Sequence, residues 1–451
     1  MNIAAVLLGG MLQTGDLMAD PISKSDFLQW APTPPMGWNS WDCFGAAVNE
    51  QQTRANADYM AEHLRQFGWQ FIVVDIQWYE PMATGWQYRQ DAKLEMDDYG
   101  RLLPAPNRFG SSAGGKGFGP LADYVHSRGL KFGPHLMRGI PRQAVAMNTP
   151  ILGTSFHAAD IADKNDICQW NPDMWGVDMN KPGAQEYYDS VFGQFAGWGV
   201  DFVKVDDLSR PYHVAEIEAI RKALDRCGRP IVLSTSPGAT PLADADHIAS
   251  HANMWRISDD FWDRWSLLKE QFQRCADWAG HCGGGHYPDA DMLPLGAIRI
   301  AERGHTAFSR DEQITLMTLW SICRSPLMFG GNLPDSDPFT LSLLTNPQVI
   351  AVDQQSSGGR QLFRKDDLIA WSADVAGSRD KYLAVFNARE SSSDVNPVAV
   401  TVLLKDLGFD GPCLVRDLWK RADFGTVQGE FSPVIAVHGA GLYRVSPASR
   451  P

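Results

Sequence analysis

The sequence predicts an α/β chain, a (β/α)₈ TIM barrel followed by a C-terminal antiparallel β-sandwich, and three observations carry that prediction. Between Pro34 and about Gly331 short apolar runs alternate with amphipathic stretches, the pattern of repeated βα units around a parallel sheet. Eight such runs are present, the number that closes a barrel. After about Asn346 the texture changes to short β-type runs separated by turn residues, as in a smaller antiparallel domain.

The eight candidate strands, in order, are Met36–Trp41, Phe71–Trp78, Lys131–Met137, Phe202–Asp207, Ile231–Ser236, Met254–Asp260, Asp289–Leu295 and Pro326–Gly330. Helices are expected from Glu50 to Phe67, from Pro120 to Arg128 and from Gly183 to Trp198, each stopped by a glycine that accepts the left-handed C-cap conformation without steric cost. The stretch Ala83 to Gly117, rich in Gly, Pro and Asp, is too long for a minimal βα loop, and such insertions shape substrate pockets in barrels. Beyond the barrel, strands are expected at Leu368–Ser372, Tyr382–Asn387, Val398–Leu404, Cys413–Leu418 and Gly441–Val445. The chain thus divides into an N-terminal extension (1–30), a barrel (31–345) and a β-sandwich domain (346–451).

Bulk properties narrow the partners. With 40 Lys plus Arg against 53 Asp plus Glu, the formal charge of −13 repels an extended polyanion, so nucleic acid is excluded and a neutral ligand such as a sugar is favoured. The 16 tryptophans serve core packing and, in part, stacking on sugar faces. The seven cysteines are dispersed, odd in number and without CxxC spacing, which gives no zinc framework and no disulfide pattern. The tract His281-Cys282-Gly283-Gly284-Gly285-His286 reads as a flexible loop rather than a metal site. The apolar run Met1–Leu12 lacks a preceding Lys or Arg and is a weak signal-like segment, leaving export open. No run approaches the ~18 apolar residues of a membrane span, so a soluble chain is expected; oligomeric state is not legible.

The chemistry concentrates at strand ends. Phe202-Val203-Lys204-Val205-Asp206-Asp207 delivers a lysine and two acids, and Met254-Trp255-Arg256-Ile257-Ser258-Asp259-Asp260 repeats the design with an arginine. Strand alternation puts Lys204 with Asp206 on one face, and Arg256 with Ser258 and Asp260 on another. Two acids from strands four and six can therefore meet over the barrel mouth. A pair of carboxyls about 5–5.5 Å apart suits retaining glycoside hydrolysis, one attacking the anomeric carbon and one protonating the leaving oxygen. A carboxylate beside Lys204 is held ionised, which assigns Asp206 as nucleophile; a proton donor needs a raised pKa, which Arg256 beside Asp260 opposes, unless Arg256 binds a sugar hydroxyl or the other carboxylate. Asp75, Asp289 and Asp291 add acids to the same mouth, and so many clustered carboxylates argue against a merely structural role.

Thr33-Pro34-Pro35-Met36-Gly37-Trp38-Asn39-Ser40-Trp41, the Lys204-Val205-Asp206 strand, Trp255-Arg256 with Asp260, and Asp289-Ala290-Asp291-Met292-Leu293 resemble glycoside hydrolase family 27, the α-galactosidase and α-N-acetylgalactosaminidase family. The resemblance runs from about Thr33 into the C-terminal domain. It implies Asp206 as nucleophile and Asp260 as acid/base, Trp41 as an apolar wall for the sugar, and Asp75, Lys204, Arg256 and Asp291 as galactose contacts. His135 stands where the family has a sugar-binding tyrosine, with Arg138 just beyond, and the family's disulfide cysteines near the first strands are absent. Asp75 is followed by Ile76 where the family usually has a second acid, at a loss of about 1 kcal/mol or more for an unpaired hydroxyl. On strand five Ser236-Pro237-Gly238-Ala239 replaces the glutamate of galactose-specific members and resembles the N-acetylgalactosaminide branch.

The expectation is a retaining exo-glycosidase releasing terminal α-D-galactose-like residues from a glycoside or oligosaccharide, without metal or cofactor. The alternatives keep the mechanism on β-L-arabinopyranosides or α-N-acetylgalactosaminides, or retire the chemistry and leave a carbohydrate-binding barrel.

Overall fold

The computed structural model describes residues 26–390 and 397–448. The signal-like run at Met1–Leu12 lies outside the described residues. Eight parallel strands curl into a barrel: β1 (Met36–Asn39), β2 (Phe71–Val74), β3 (Lys131–Met137), β4 (Phe202–Asp206), β5 (Val232–Thr235), β6 (Met254–Arg256), β7 (Tyr287–Asp289) and β8 (Leu327–Phe329). They neighbour one another in the order β7-β6-β5-β4-β3-β2-β1-β8. The ring closes after β7, where Leu293 bridges Phe329 in parallel register and Leu293 N donates to Met328 O at 2.8 Å.

Three expected strands are corrected. The second, placed at Phe71–Trp78, ends at Val74. The seventh, placed at Asp289–Leu295, lies two residues earlier and ends at Asp289, because Asp291 turns to φ 86° and leaves the extended region. The sixth, placed at Met254–Asp260, ends at Arg256, so Asp260 reaches the mouth from an irregular segment and strand alternation does not orient it.

One inward phase runs through the sheet. Phe71, Phe202, Val232, Met254, Tyr287 and Met328 form a buried apolar plug in the lower barrel, with Phe71 and Phe202 centroids 5.3 Å apart. Two glycines make room for it: a Cβ at Gly37 would lie 2.6 Å from Phe71 O, and one at Gly133 would meet Phe202 O still more closely. Two and four residues further up each strand, the same phase turns polar and presents Asn39, Asp75, His135, Lys204, Asp206, Ser236, Arg256 and Asp289. The apolar floor and the charged mouth are one alternation read at two heights.

Helices pack outside. The first, expected from Glu50 to Phe67, opens as α1 (Glu50–Tyr59) on an Asn49–Gln52 capping box, passes through a π-helical turn (Met60–Leu64) and a 3₁₀ turn (Arg65–Phe67), and stops at Gly68 with φ 99°. The helices α2 (Gly119–Ser127), α3 (Ala184–Gly197), α4 (Val214–Arg226), α5 (Ala245–Ala249), α6 (Trp265–Trp278), α7 (Arg310–Cys323) and α8 (Pro347–Gln355) follow. A six-stranded antiparallel sheet then begins at Ser356, in the order β9 (Ser356–Lys365), β10 (Leu368–Val375), β11 (Lys381–Asn387), β14 (Ala440–Pro447), β12 (Cys413–Asp417), β13 (Ala422–Val427). The strand expected at Val398–Leu404 is two short ones, Val398–Ala399 and Val402–Leu403, paired with Val434–Ile435 and Glu430–Phe431. This second layer encloses its own core around Val385, Val415, Phe431 and Tyr443. All seven cysteines are free. No helix among the described residues is long and apolar enough to cross a membrane.

Candidate active site

A cavity of about 920 Å³ opens at the C-terminal ends of the barrel strands. Trp41, Asp75, Lys204, Asp206, Arg256, Asp260 and Asp291 all line it. His135 and Ser236, expected to touch the sugar, do not line the cavity. Both are buried, although His135 pairs in register with Lys204, which does line the cavity.

On one side, Lys204 Nζ lies 2.9 Å from Asp75 Oδ2 and 3.8 Å from Asp206 Oδ1. Asn39 Nδ2 also donates to Asp75 Oδ2, at 2.7 Å, and Ile76 N donates to Asp75 Oδ1 at 2.8 Å. Burial works against the charged form of Asp75, but Lys204, His135 and Asn39 outweigh it and hold the carboxyl below its ordinary range. Burial likewise opposes the Lys204 ammonium, yet Asp206 and Asp75 raise it above the usual lysine value. His135 Nε2 is 2.9 Å from Asp206 Oδ2, off the line of a hydrogen bond. Asp206 Oδ1 is buried and accepts no hydrogen bond, so a lone pair is free.

On the other side, Arg256 Nη2 contacts Asp291 Oδ2 at 2.6 Å and Asp260 Oδ1 at 3.3 Å, while Nη1 reaches Ser236 Oγ at 3.4 Å. Arg256 is therefore Asp291's partner first and Asp260's second. Asp291 Oδ2 also accepts from Phe261 N and Oδ1 from Met292 N, fixing the loops that follow β6 and β7 to each other. Burial pushes Asp291 up to about 7, with Arg256 opposing and Asp260 adding to the shift. Asp260 itself is half exposed at the mouth, whereas Asp259, also on the cavity rim, pairs with Arg210.

The second acid of each pair has separate work. Asp207 adopts φ 68° and is clamped by Arg138, whose guanidinium also reaches Asp166 and Glu216, each at 2.8 Å. Arg138 N donates to Asp206 O, so this buried network holds the end of β4.

Sequence reasoning missed several lining residues. Trp86 and Tyr88, from the long insertion, flank Trp41, Trp86 edge-on at 5.2 Å and Tyr88 nearly parallel at 6.3 Å. Trp262 and Trp170 extend this aromatic rim. Asp42 follows Trp41 directly and is buried with Oδ2 unpartnered; burial first, then Asp291, drives its carboxyl well above the ordinary range. The adjacency to Trp41 was the available signal, but nothing local distinguishes Asp42 from a helix-start acid.

Residues 33–181 and 176–355 match the family described as alpha galactosidase A, and residues 365–445 match the alpha galactosidase C-terminal beta sandwich domain. The chain belongs to the α-galactosidase family. It is accordingly a glycoside hydrolase, built as that family's barrel and sandwich. An α-galactosidase of Cyamopsis tetragonoloba is 30% identical over 426 residues, covering 92% of this chain and 87% of the relative. Among solved structures of family 27, a β-L-arabinopyranosidase from Geobacillus stearothermophilus is 54% identical with a TM-score of 0.92, covering 95% of this chain and 100% of its own. A Bacillus halodurans C-125 protein, whose proposed activity is that of an α-N-acetylgalactosaminidase, is 47% identical with a TM-score of 0.83, covering 92% and 97%.

Proposed function

We propose that this α-galactosidase-family hydrolase is a retaining exo-glycosidase that prefers β-L-arabinopyranosides over α-D-galactosides. β-L-Arabinopyranose has the stereochemistry of α-D-galactopyranose without the 6-hydroxymethyl group. Ile76 carries the reading. It lines the cavity beside Asp75, is 2% exposed, and presents hydrocarbon where a second acid would accept protons from sugar hydroxyls. A galactoside would leave a hydroxyl unpaired against that wall, whereas a pentopyranose brings none to that position. The arabinopyranosidase relative at 54% identity supports the same preference.

In this mechanism the Asp206 carboxylate attacks the anomeric carbon as the C–O bond to the leaving group breaks, and Asp260 gives its proton to the departing oxygen. Water then attacks the glycosyl-Asp206 ester, Asp260 takes its proton, and the ester bond breaks with net retention. The free Oδ1 of Asp206 is the attacking atom, and Asp260's half-exposed position gives access to leaving group and water. Asp75, Lys204, Arg256 and Asp291 hold sugar hydroxyls, with Trp41 against the apolar face. His135 and Ser236 act indirectly, one packed on Asp206 and the other on Arg256. The small lining residues Pro237 and Gly238, which follow Ser236, keep α-N-acetylgalactosaminides as a second reading.

The test is kcat/KM on nitrophenyl β-L-arabinopyranoside, α-D-galactoside, α-N-acetylgalactosaminide and α-D-glucoside. The arabinopyranoside is expected to lead. A faster α-D-galactoside or α-N-acetylgalactosaminide, or no turnover of any by folded protein, would overturn the preference.

A further inference from the structure

Three groups of ligand-type side chains converge among the described residues. Asp75, His135 and Asp206 surround Lys204, and Asp166, His213 and Glu216 surround Arg138, so each of those groups already encloses a protein cation. The third, Glu218, His247 and His251, encloses none. Glu218 pairs with no Lys or Arg among the described residues, and its nearest charged partner is His247, with Nε2 3.6 Å away, too far for a hydrogen bond.

The second contacts of both imidazoles are already set as metal ligation requires. His251 Nδ1 lies 2.7 Å from His247 O, which fixes its proton on Nδ1 and leaves Nε2 as a lone-pair donor. His247 Nδ1 lies 2.6 Å from Tyr212 Oη, while its Nε2 is buried without a hydrogen-bond partner. A metal on Nε2 would move the His247 proton to Nδ1, where the Tyr212 oxygen accepts it. The two rings stack at 4.2 Å with an interplanar angle of 25°, one helical turn apart along α5 and its exit. One ring nitrogen of each histidine and a Glu218 oxygen lie within 4.8 Å of one another. Tetrahedral Zn–N and Zn–O bonds of ~2.0–2.1 Å set ligand atoms about 3.3 Å apart. Glu218 is 57% exposed, so its side chain is free to swing in and close that difference.

We infer that Glu218, His247 and His251 form a surface site for a divalent transition metal of the Zn²⁺ class, with the fourth position open to water. Two imidazoles and one carboxylate are a donor set for zinc rather than for calcium or magnesium. The site joins α4 to α5 and, through Tyr212, abuts the segment whose Arg210 and Pro211 line the substrate cavity. Its role is to brace that wall, and it is independent of the glycosidase mechanism.

Untagged full-length protein, stripped with a chelator and dialysed, is titrated with Zn²⁺ by calorimetry and with Co²⁺ by visible absorption. One Zn²⁺ per chain and d–d bands of a four-coordinate Co²⁺ centre are expected. Glu218→Gln and His251→Ala should each weaken Zn²⁺ by at least about tenfold, and Tyr212→Phe by about 10–100-fold, the range for losing an outer hydrogen-bond partner. Metal-free glycosidase activity of Glu218→Gln and His251→Ala should match the parent protein. Absence of saturable binding, or binding that survives both variants and disappears only with His286→Ala and Cys282→Ser, would overturn the site.

Discussion

Lys204 Nζ stands 2.9 Å from Asp75 Oδ2 but 3.8 Å from the nearest oxygen of Asp206. In the proposed mechanism the lysine makes its close ion pair with a sugar-binding carboxylate and leaves the attacking one in its field without occupying its lone pair. An oxygen committed to a short hydrogen bond is a poorer nucleophile, so the longer distance is the productive one.

Asp206→Ala should lower kcat by at least about four orders of magnitude while arabinose or galactose still binds. Steady-state rates and calorimetric sugar titration check it. Turnover near the parent rate would remove Asp206 from the mechanism.

Asp260→Ala should behave differently. Loss of the acid/base is expected to cost about 10²–10⁴-fold, least for good leaving groups such as dinitrophenolate. Azide should restore turnover by attacking the glycosyl-enzyme, giving a glycosyl azide of the substrate's anomeric configuration. Product analysis by NMR decides; an inverted azide would exchange the two roles.

Ile76→Asp restores an acceptor beside Asp75. The galactoside to arabinopyranoside ratio of kcat/KM should rise by about 10-fold or more, the scale of one recovered hydroxyl contact. An unchanged or lower ratio would show that Ile76 does not set specificity.

Asp42 faces the cavity with an unpartnered oxygen, and burial keeps its carboxyl protonated well above the ordinary carboxylate range. A neutral carboxyl donates a hydrogen bond, and an amide can replace it. Asp42→Asn should retain most activity, whereas Asp42→Leu should lose about 10-fold or more. Because the wild-type donor is lost as pH rises through its elevated folded value, the ratio of Asn variant to wild type should increase toward alkaline pH. A flat ratio in kcat/KM profiles would count against a protonated Asp42.

Asp353 on α8 is fully buried; its Oδ2 accepts from Gln354 at 2.6 Å and its Oδ1 accepts nothing. Burial raises its carboxyl well above the ordinary range, with Gln354 and Arg324 only partly opposing. A raised acid takes up a proton on folding, so its cost is absent below the unfolded value of about 4 and grows as pH rises toward the folded value. Asp353→Asn should therefore stabilise the protein at pH 7.5 by about 1–3 kcal/mol, the gain vanishing near pH 4. Thermal or urea unfolding at the two pH values measures it.

The sequence itself determined the barrel, because hydrophobic periodicity and glycine stops are local signals written into each βα unit. Seven of the residues it singled out line one cavity: strand alternation pointed to Lys204, Asp206 and Arg256, and the family resemblance to Trp41, Asp75, Asp260 and Asp291. It also gave the family, through the Trp38–Trp41 opening and the strand-end motifs. What it could not place depends on contacts distant in sequence. Asp291 breaks β7 by a left-handed turn; Asp260 leaves the strand before its alternation could orient it; and His135 and Ser236 are buried against Asp206 and Arg256 rather than open to the cavity. Whether Arg256 serves Asp291 or Asp260 was decided by the pairing of β7 with β6 and the loops that follow them, which sets 2.6 Å against 3.3 Å. Alternation fixes which way a side chain points, but only tertiary packing fixes which charge it meets, because that distance is set by neighbouring strands and loops rather than by its own.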